Sequence, residues 1–158
     1  MTPMQTTRFE MLMLLDRYAD VIDNDRLEEW PDLFAEDCLY EIIPKENEDG
    51  GFPAPLIRCD NRRMLHDRIV SLRQANIYAP MTYRHFFSGL VISDIGADTV
   101  DFSCNYLVVS SSEAGDSRIY QVGRYLDRAV RDSGDWLFAS KRAIFDTARV
   151  QTLLALPI

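Results

Sequence analysis

With 158 residues, 47% of them hydrophobic, the chain has the size of a single domain and enough apolar side chains to build its own core. Its 17 basic residues against 25 acidic ones leave a formal charge of −8, which argues against a nucleic-acid backbone or an anionic lipid surface as partner. No run of about 20 apolar residues is present to span a membrane and no basic-then-apolar stretch reads as a secretory signal, while Cys38, Cys59 and Cys104, odd in number and scattered, read as reduced thiols of a cytoplasmic protein.

The first predicted element is a helix. Thr7 and Glu10 fit a capping box, and Met11, Leu14, Leu15, Tyr18, Val21 and Ile22 follow as one apolar stripe. Asn24-Asp25 ends it. A short second helix covers 27–30, and Pro31 opens a further turn that carries Leu33 and Phe34. Residues 37–44 read as a strand, 45–55 as a loop rich in Gly, Pro and charge, and 56–59 as a short edge strand. Asp60 can cap a third helix running to about Asn76, with Met64, Leu65, Ile69 and Leu72 on one side. From Thr82 onward four segments rich in Val, Ile, Tyr, Phe and Thr are separated by Ile95-Gly96-Ala97-Asp98, Glu113-Ala114-Gly115-Asp116 and Asp132-Ser133-Gly134-Asp135. Each runs about 12 to 15 residues against a usual 5 to 6, so the sheet they form must twist and curl.

Helices followed by a run of strands is an α+β order. The expected shape is one domain over residues 1–158, a strongly curved, mainly antiparallel sheet with the N-terminal helices in its concave face. Such a cone leaves a pocket between sheet and helices, and the chain's apolar last residues, Leu153-Leu154-Ala155-Leu156-Pro157-Ile158, are expected to dock rather than fray.

Few residues could carry chemistry. His66 belongs to the wet face of the third helix. His85 lies in the strand segment Tyr83-Arg84-His85-Phe86-Phe87, where it can point into the cone and hold a proton near neutral pH, with Asp23 or Tyr40 to orient it. A hydrogen-bonded structural histidine is the competing reading. Nothing in the spacing brings two histidines and a carboxylate together for a non-haem iron, and no close Cys–His pairs exist for a Rieske cluster. There is no zinc pattern, phosphate loop or nucleophile elbow. Arginine is prominent and suits carboxylate pairing or a protein interface.

Three segments in order carry a family resemblance. Tyr18-Ala19-Asp20-Val21-Ile22-Asp23 with Trp30-Pro31-Asp32-Leu33-Phe34 and Asp37-Cys38-Leu39-Tyr40, then Asp67-Arg68-Ile69-Val70-Ser71-Leu72-Arg73 with Tyr83-Arg84-His85, and finally Asp146-Thr147 through Ile158, resemble the β subunits of bacterial aromatic-ring-hydroxylating oxygenases. The resemblance is greatest to the salicylate, anthranilate and terephthalate group, and it implies an NTF2-like (cystatin-like) cone. It also implies a non-catalytic subunit with no catalytic, cofactor or metal residues of its own. In that family the Rieske [2Fe-2S] cluster and the mononuclear Fe(II) belong to a large α subunit, the assembly is commonly an α3β3 hexamer with a β trimer, and electrons arrive through a ferredoxin and reductase. The alternative is a stand-alone dehydratase, isomerase or cyclase on the same fold, using His85 with Asp23 or Tyr40.

Overall fold

The computed structural model describes residues 1–75, 80–146 and 156–158. Helix α1 (Pro3–Asp23) buries the predicted stripe of Met11, Leu14, Leu15, Tyr18, Val21 and Ile22. It starts earlier than predicted, on a capping box of Thr2 and Gln5 with Pro3 in the first turn, not at Thr7 and Glu10. Proline's fixed φ and missing N–H favour that start. Glu10 is engaged elsewhere, accepting from the indole N–H of Trp136 at 2.8 Å and from Arg131 at 3.1 Å, which ties the helix to the far end of the sheet.

A single 3-10 helix (Leu27–Leu33) then runs through Pro31, where two pieces were expected. Burial of Leu27, Trp30, Pro31 and Leu33 holds it in place of the hydrogen bond that proline cannot donate. Strand β1 (Phe34–Pro44) begins three residues before the predicted start, because Phe34 already pairs with Phe138 across a register shift. The predicted loop holds a five-residue helix, α2 (Lys45–Asp49), with a Lys45–Asp49 ion pair along its length. Strand β2 (Ile57–Cys59) is the predicted edge strand. Helix α3 (Arg62–Gln74) is capped by Asn61, whose side chain accepts from the Met64 N–H at 2.9 Å. Asp60 stands one residue too early for that role. Leu65, Ile69 and Leu72 are buried, but Met64 faces out.

Strands β3 (Met81–Ile95), β4 (Thr99–Ser112), β5 (Ser117–Asp132) and β6 (Asp135–Phe145) form a meander joined at the predicted turns. Ser133 and Gly134 both take positive φ, 50° and 97°, as a two-residue hairpin turn that follows the strand twist requires. The six strands lie in the order β2-β1-β6-β5-β4-β3, with β1 and β6 parallel and every other neighbouring pair antiparallel. Register shifts at Ser88/Val91, Val108/Val109 and Arg128/Ala129 bend the long strands, so the sheet curls around α1 and α3 in the cone expected of an NTF2-like fold.

Alternation along each strand fixes what enters the cone. In β4, Val100, Phe102, Cys104, Tyr106 and Val108 are buried. In β3, His85 turns inward and Phe87 packs against the core, whereas Phe86 is 55% exposed on the outer face. Of the two adjacent phenylalanines only Phe87 packs inward, because neighbours in a strand cannot share a face.

Candidate functional site

Tyr18 stands at the centre of the interior. Its ring meets those of Phe34, His85, Tyr125 and Phe138 at centroid distances of 6.4, 6.2, 6.3 and 5.6 Å, all near edge-to-face, the arrangement that ring quadrupoles favour. Around this aromatic centre lie three buried polar sets.

The first joins Asp23, the last residue of α1, to His85 on β3. The Asp23 carboxylate accepts the His85 backbone N–H at 2.8 Å on one oxygen and faces Nδ1 at 2.6 Å on the other. The two side chains are 8% and 1% exposed. Both contacts orient the imidazole, with its Nδ1–H donating to the carboxylate. Nε2 points away from Asp23, is buried, and has no hydrogen-bond partner among the described residues.

The second holds residue 158. The Tyr18 hydroxyl donates to the main-chain oxygen of Ile158 at 2.5 Å, and the Tyr40 hydroxyl accepts the Ile158 N–H at 2.9 Å. Ile158 is 1% exposed and Leu156 is 8% exposed. Docking of the apolar tail thus holds for these residues; Leu153 and Leu154 lie outside the described residues. Burial pushes the Tyr40 phenol up to about 12 and the Tyr18 phenol well above its usual range, so both remain protonated donors.

The third set was not anticipated. Lys141 on β6 and Asp127 on β5 form an ion pair of 2.8 Å with both side chains 0% exposed. The Lys141 ammonium also lies 3.5 Å from the Tyr125 ring centroid, 4.5 Å from Tyr18 and 4.6 Å from Phe138, an aromatic box for a cation. Burial raises the Asp127 carboxyl to about 6 in spite of the lysine. Nearby, Tyr106 stacks on Tyr125 at 4.2 Å and donates to the Gln121 side chain at 2.7 Å.

Of the three residues singled out from sequence, the fold therefore joins Asp23 and His85, while the Tyr40 hydroxyl is committed to Ile158. His66 is exposed on α3 as expected. The donor set fits no metal: no group of three His, Cys, Asp or Glu converges among the described residues. All three cysteines are buried, and burial raises their thiols, Cys38 to about 11 and Cys104 to about 12, away from the thiolate a metal requires. Chemically, the Asp23–His85 pair can hold and pass a proton at Nε2, and the Tyr18–Tyr40 pair can bind a carbonyl oxygen beside an N–H.

The family model for the ring hydroxylating beta subunit matches residues 17–152. The chain is 53% identical over 152 residues to the anthranilate 1,2-dioxygenase small subunit of Burkholderia cepacia, covering 96% of this chain and 94% of that protein. It is 34% identical over 141 residues to a terephthalate 1,2-dioxygenase terminal oxygenase subunit, beta 2, of a Comamonas species, covering 89% and 92%. Among solved structures, the beta subunit assigned to an aromatic-ring-hydroxylating dioxygenase of Novosphingobium aromaticivorans superposes with a TM-score of 0.89 at 40% identity, covering 98% of each chain.

Proposed function

The chain belongs to the ring hydroxylating beta subunit family, and from that premise we propose that it acts as the small, non-catalytic, one-domain subunit of an aromatic-acid oxygenase. In this reading a large α subunit carries the Rieske [2Fe-2S] cluster and the mononuclear Fe(II), and this chain supports its assembly in the cytoplasm. The partnership is an α3β3 hexamer built on a β trimer, supplied with electrons by a ferredoxin and reductase. The substrate is an aromatic acid of the anthranilate or salicylate kind, in keeping with the 53% identity to an anthranilate dioxygenase small subunit.

The observation that carries the non-catalytic reading is enclosure. The one histidine in the interior is 1% exposed and its orienting carboxylate 8%. The space beside them holds the protein's own rings and Ile158. A working site needs converging polar groups around room for a substrate.

A second reading is favoured by one specific feature, the two-point contact that fixes His85 and leaves Nε2 free to act as a base. On that reading His85 with Asp23, or with Tyr40, serves a dehydratase, isomerase or cyclase.

Co-expression decides between them. Ring hydroxylation is expected only when the large Rieske-type subunit is present. In that complex His85→Ala is expected to lower stability by about 1–3 kcal/mol, because Asp23 loses a buried partner, while turnover per assembled complex stays within about a few-fold. A loss of about a hundredfold in an intact complex is the scale of a missing general base, and would overturn the non-catalytic assignment.

A further inference from the structure

The Tyr18–Tyr40 pair treats Ile158 less as packing than as a ligand. Two hydroxyls on different elements, one from α1 and one from β1, converge on the main chain of one residue, Tyr18 donating to its oxygen and Tyr40 accepting its N–H. The separations in sequence are 140 and 118 residues, so the contact is made across the whole fold. Both tyrosines are fully buried, and the rings of Trp30 and Phe34 pack edge-on around Tyr40.

The interior also holds more polar atoms than this occupant uses. The Tyr125 hydroxyl and His85 Nε2 are buried and lack hydrogen-bond partners among the described residues. Both residues flank the ring that holds Ile158: the Tyr18 centroid lies 6.2 Å from that of His85 and 6.3 Å from that of Tyr125. Buried polar atoms are ordinarily paired, and each unpaired one calls for a partner such as water or a ligand atom.

We infer that the interior of the cone is a binding site for small carboxylates and carboxamides with a branched-aliphatic or single-ring apolar body, and that residues 156–158 are its resident, exchangeable occupant. The oxygen of the incoming compound takes the place of the Ile158 main-chain oxygen, to which Tyr18 donates at 2.5 Å and Tyr40 at 3.4 Å. Its apolar body replaces the Ile158 side chain among the rings. Its remaining polar atoms can reach toward Tyr125 or His85. The inference is independent of whether His85 performs chemistry.

The test uses the full chain, with benzoate and isovaleramide as probes, read by isothermal titration and by saturation-transfer NMR. Wild-type protein, with its occupant seated, is expected to bind weakly. Ile158→Ala keeps the main-chain N–H and oxygen but opens room beside them, and is expected to bind at least one probe about tenfold more tightly. Adding Tyr18→Phe and Tyr40→Phe to that variant is expected to reverse the gain, because the oxygen loses its donors. Absence of any gain in Ile158→Ala up to about 10 mM probe, or a gain that survives removal of both hydroxyls, would overturn the inference. If Ile158→Ala does not fold, Ile158→Val carries the same comparison with a gain of about threefold expected. Unfolding of both would also overturn it, since an occupant the fold cannot release even in part is a structural element and not an exchangeable one.

Discussion

Replacing Lys141 by Met isolates what the buried cation does. Methionine keeps the length and the apolar stem but removes the charge that faces Asp127 at 2.8 Å with both side chains 0% exposed. Asp127 would then be a buried carboxyl without its cation, and its second oxygen already lacks a partner among the described residues. The ammonium's contacts with the Tyr125, Tyr18 and Phe138 rings disappear as well. Breaking a buried pair from one side costs about 3–5 kcal/mol. Unfolding entropy of about 2.1 cal/mol/K per residue over 158 residues amounts to about 330 cal/mol/K, so a loss of about 4 kcal/mol lowers Tm by about 12 °C. Lys141→Met combined with Asp127→Leu removes the uncompensated charge and should return to within about 2 kcal/mol of wild type. Urea unfolding and calorimetry on the four members of this cycle supply the coupling energy. A Lys141→Met protein melting within about 3 °C of wild type, or a double variant as unstable as the sum of its singles, would refute the reasoning.

Two further outcomes follow from neighbouring features. Because burial lifts the Asp127 carboxyl from 3.8 to about 6, the folded state binds that proton more tightly than the unfolded state. The stability contributed by this group is therefore fully present below the unfolded value and falls as pH rises through the window from about 4 to about 6. The unfolding free energy of wild type relative to Asp127→Asn should drop across that window and level off at neutral pH; parallel curves would contradict it. At Gly123 an added Cβ would lie 2.1 Å from the Ile144 carbonyl oxygen and 2.8 Å from the Phe145 Cα, both backbone, so β5 and β6 must part. Gly123→Ala should cost at least the about 1–3 kcal/mol of ordinary overpacking, and a chemical unfolding midpoint unchanged from wild type would mean that the strands are not so closely apposed.

The parts of the fold visible in the sequence are those set by local period. The stripe from Met11 to Ile22 has helical spacing, and six of its members are buried. The four long strands announced themselves through composition and through turn residues at their ends. His85 was legible as an inward residue from its place between Tyr83 and Phe87, and Asp23 as its partner from its position at the end of the first helix. The Lys141–Asp127 pair was equally available in principle. Tyr125, Asp127 and Ala129 share a parity on β5, as do Lys141, Ala143 and Phe145 on β6, and a charge on an apolar face is a signal. It was missed because neither residue is unusual until the two strands are set in register, with Asp127 opposite Lys141. The Tyr40–Ile158 contact lies beyond any local pattern, since 118 residues separate its partners. Helix starts were displaced for a different reason: Thr7 and Asp60 satisfy the chemistry of a cap, but backbone geometry gave the role to Thr2 and Asn61.

The buried polar bonds also bear on how a subunit proposed for assembly presents one outer surface. A strand of period two that slips by one residue exchanges its faces. Such a slip in β3 would turn Tyr83, His85 and Phe87 outward and bring Arg84 and Phe86 inward, which hydrophobicity already opposes. It is opposed further by Asp23, which reaches both the His85 backbone and its ring and would be left as a buried carboxylate with neither. Lys141 and Asp127 do the same between β6 and β5, where a slip would leave two charges in an apolar core. With those registers fixed, the opposite parity is fixed too. Glu41 is held on the outer side by Arg58 and Arg142, Arg142 reaches Glu48 at 2.6 Å, and Arg128 faces Asp101 at 3.5 Å. The polar interior and the arginine-rich exterior are two faces of one choice of register, so a change at His85 or Lys141 can disturb that outer surface without touching it.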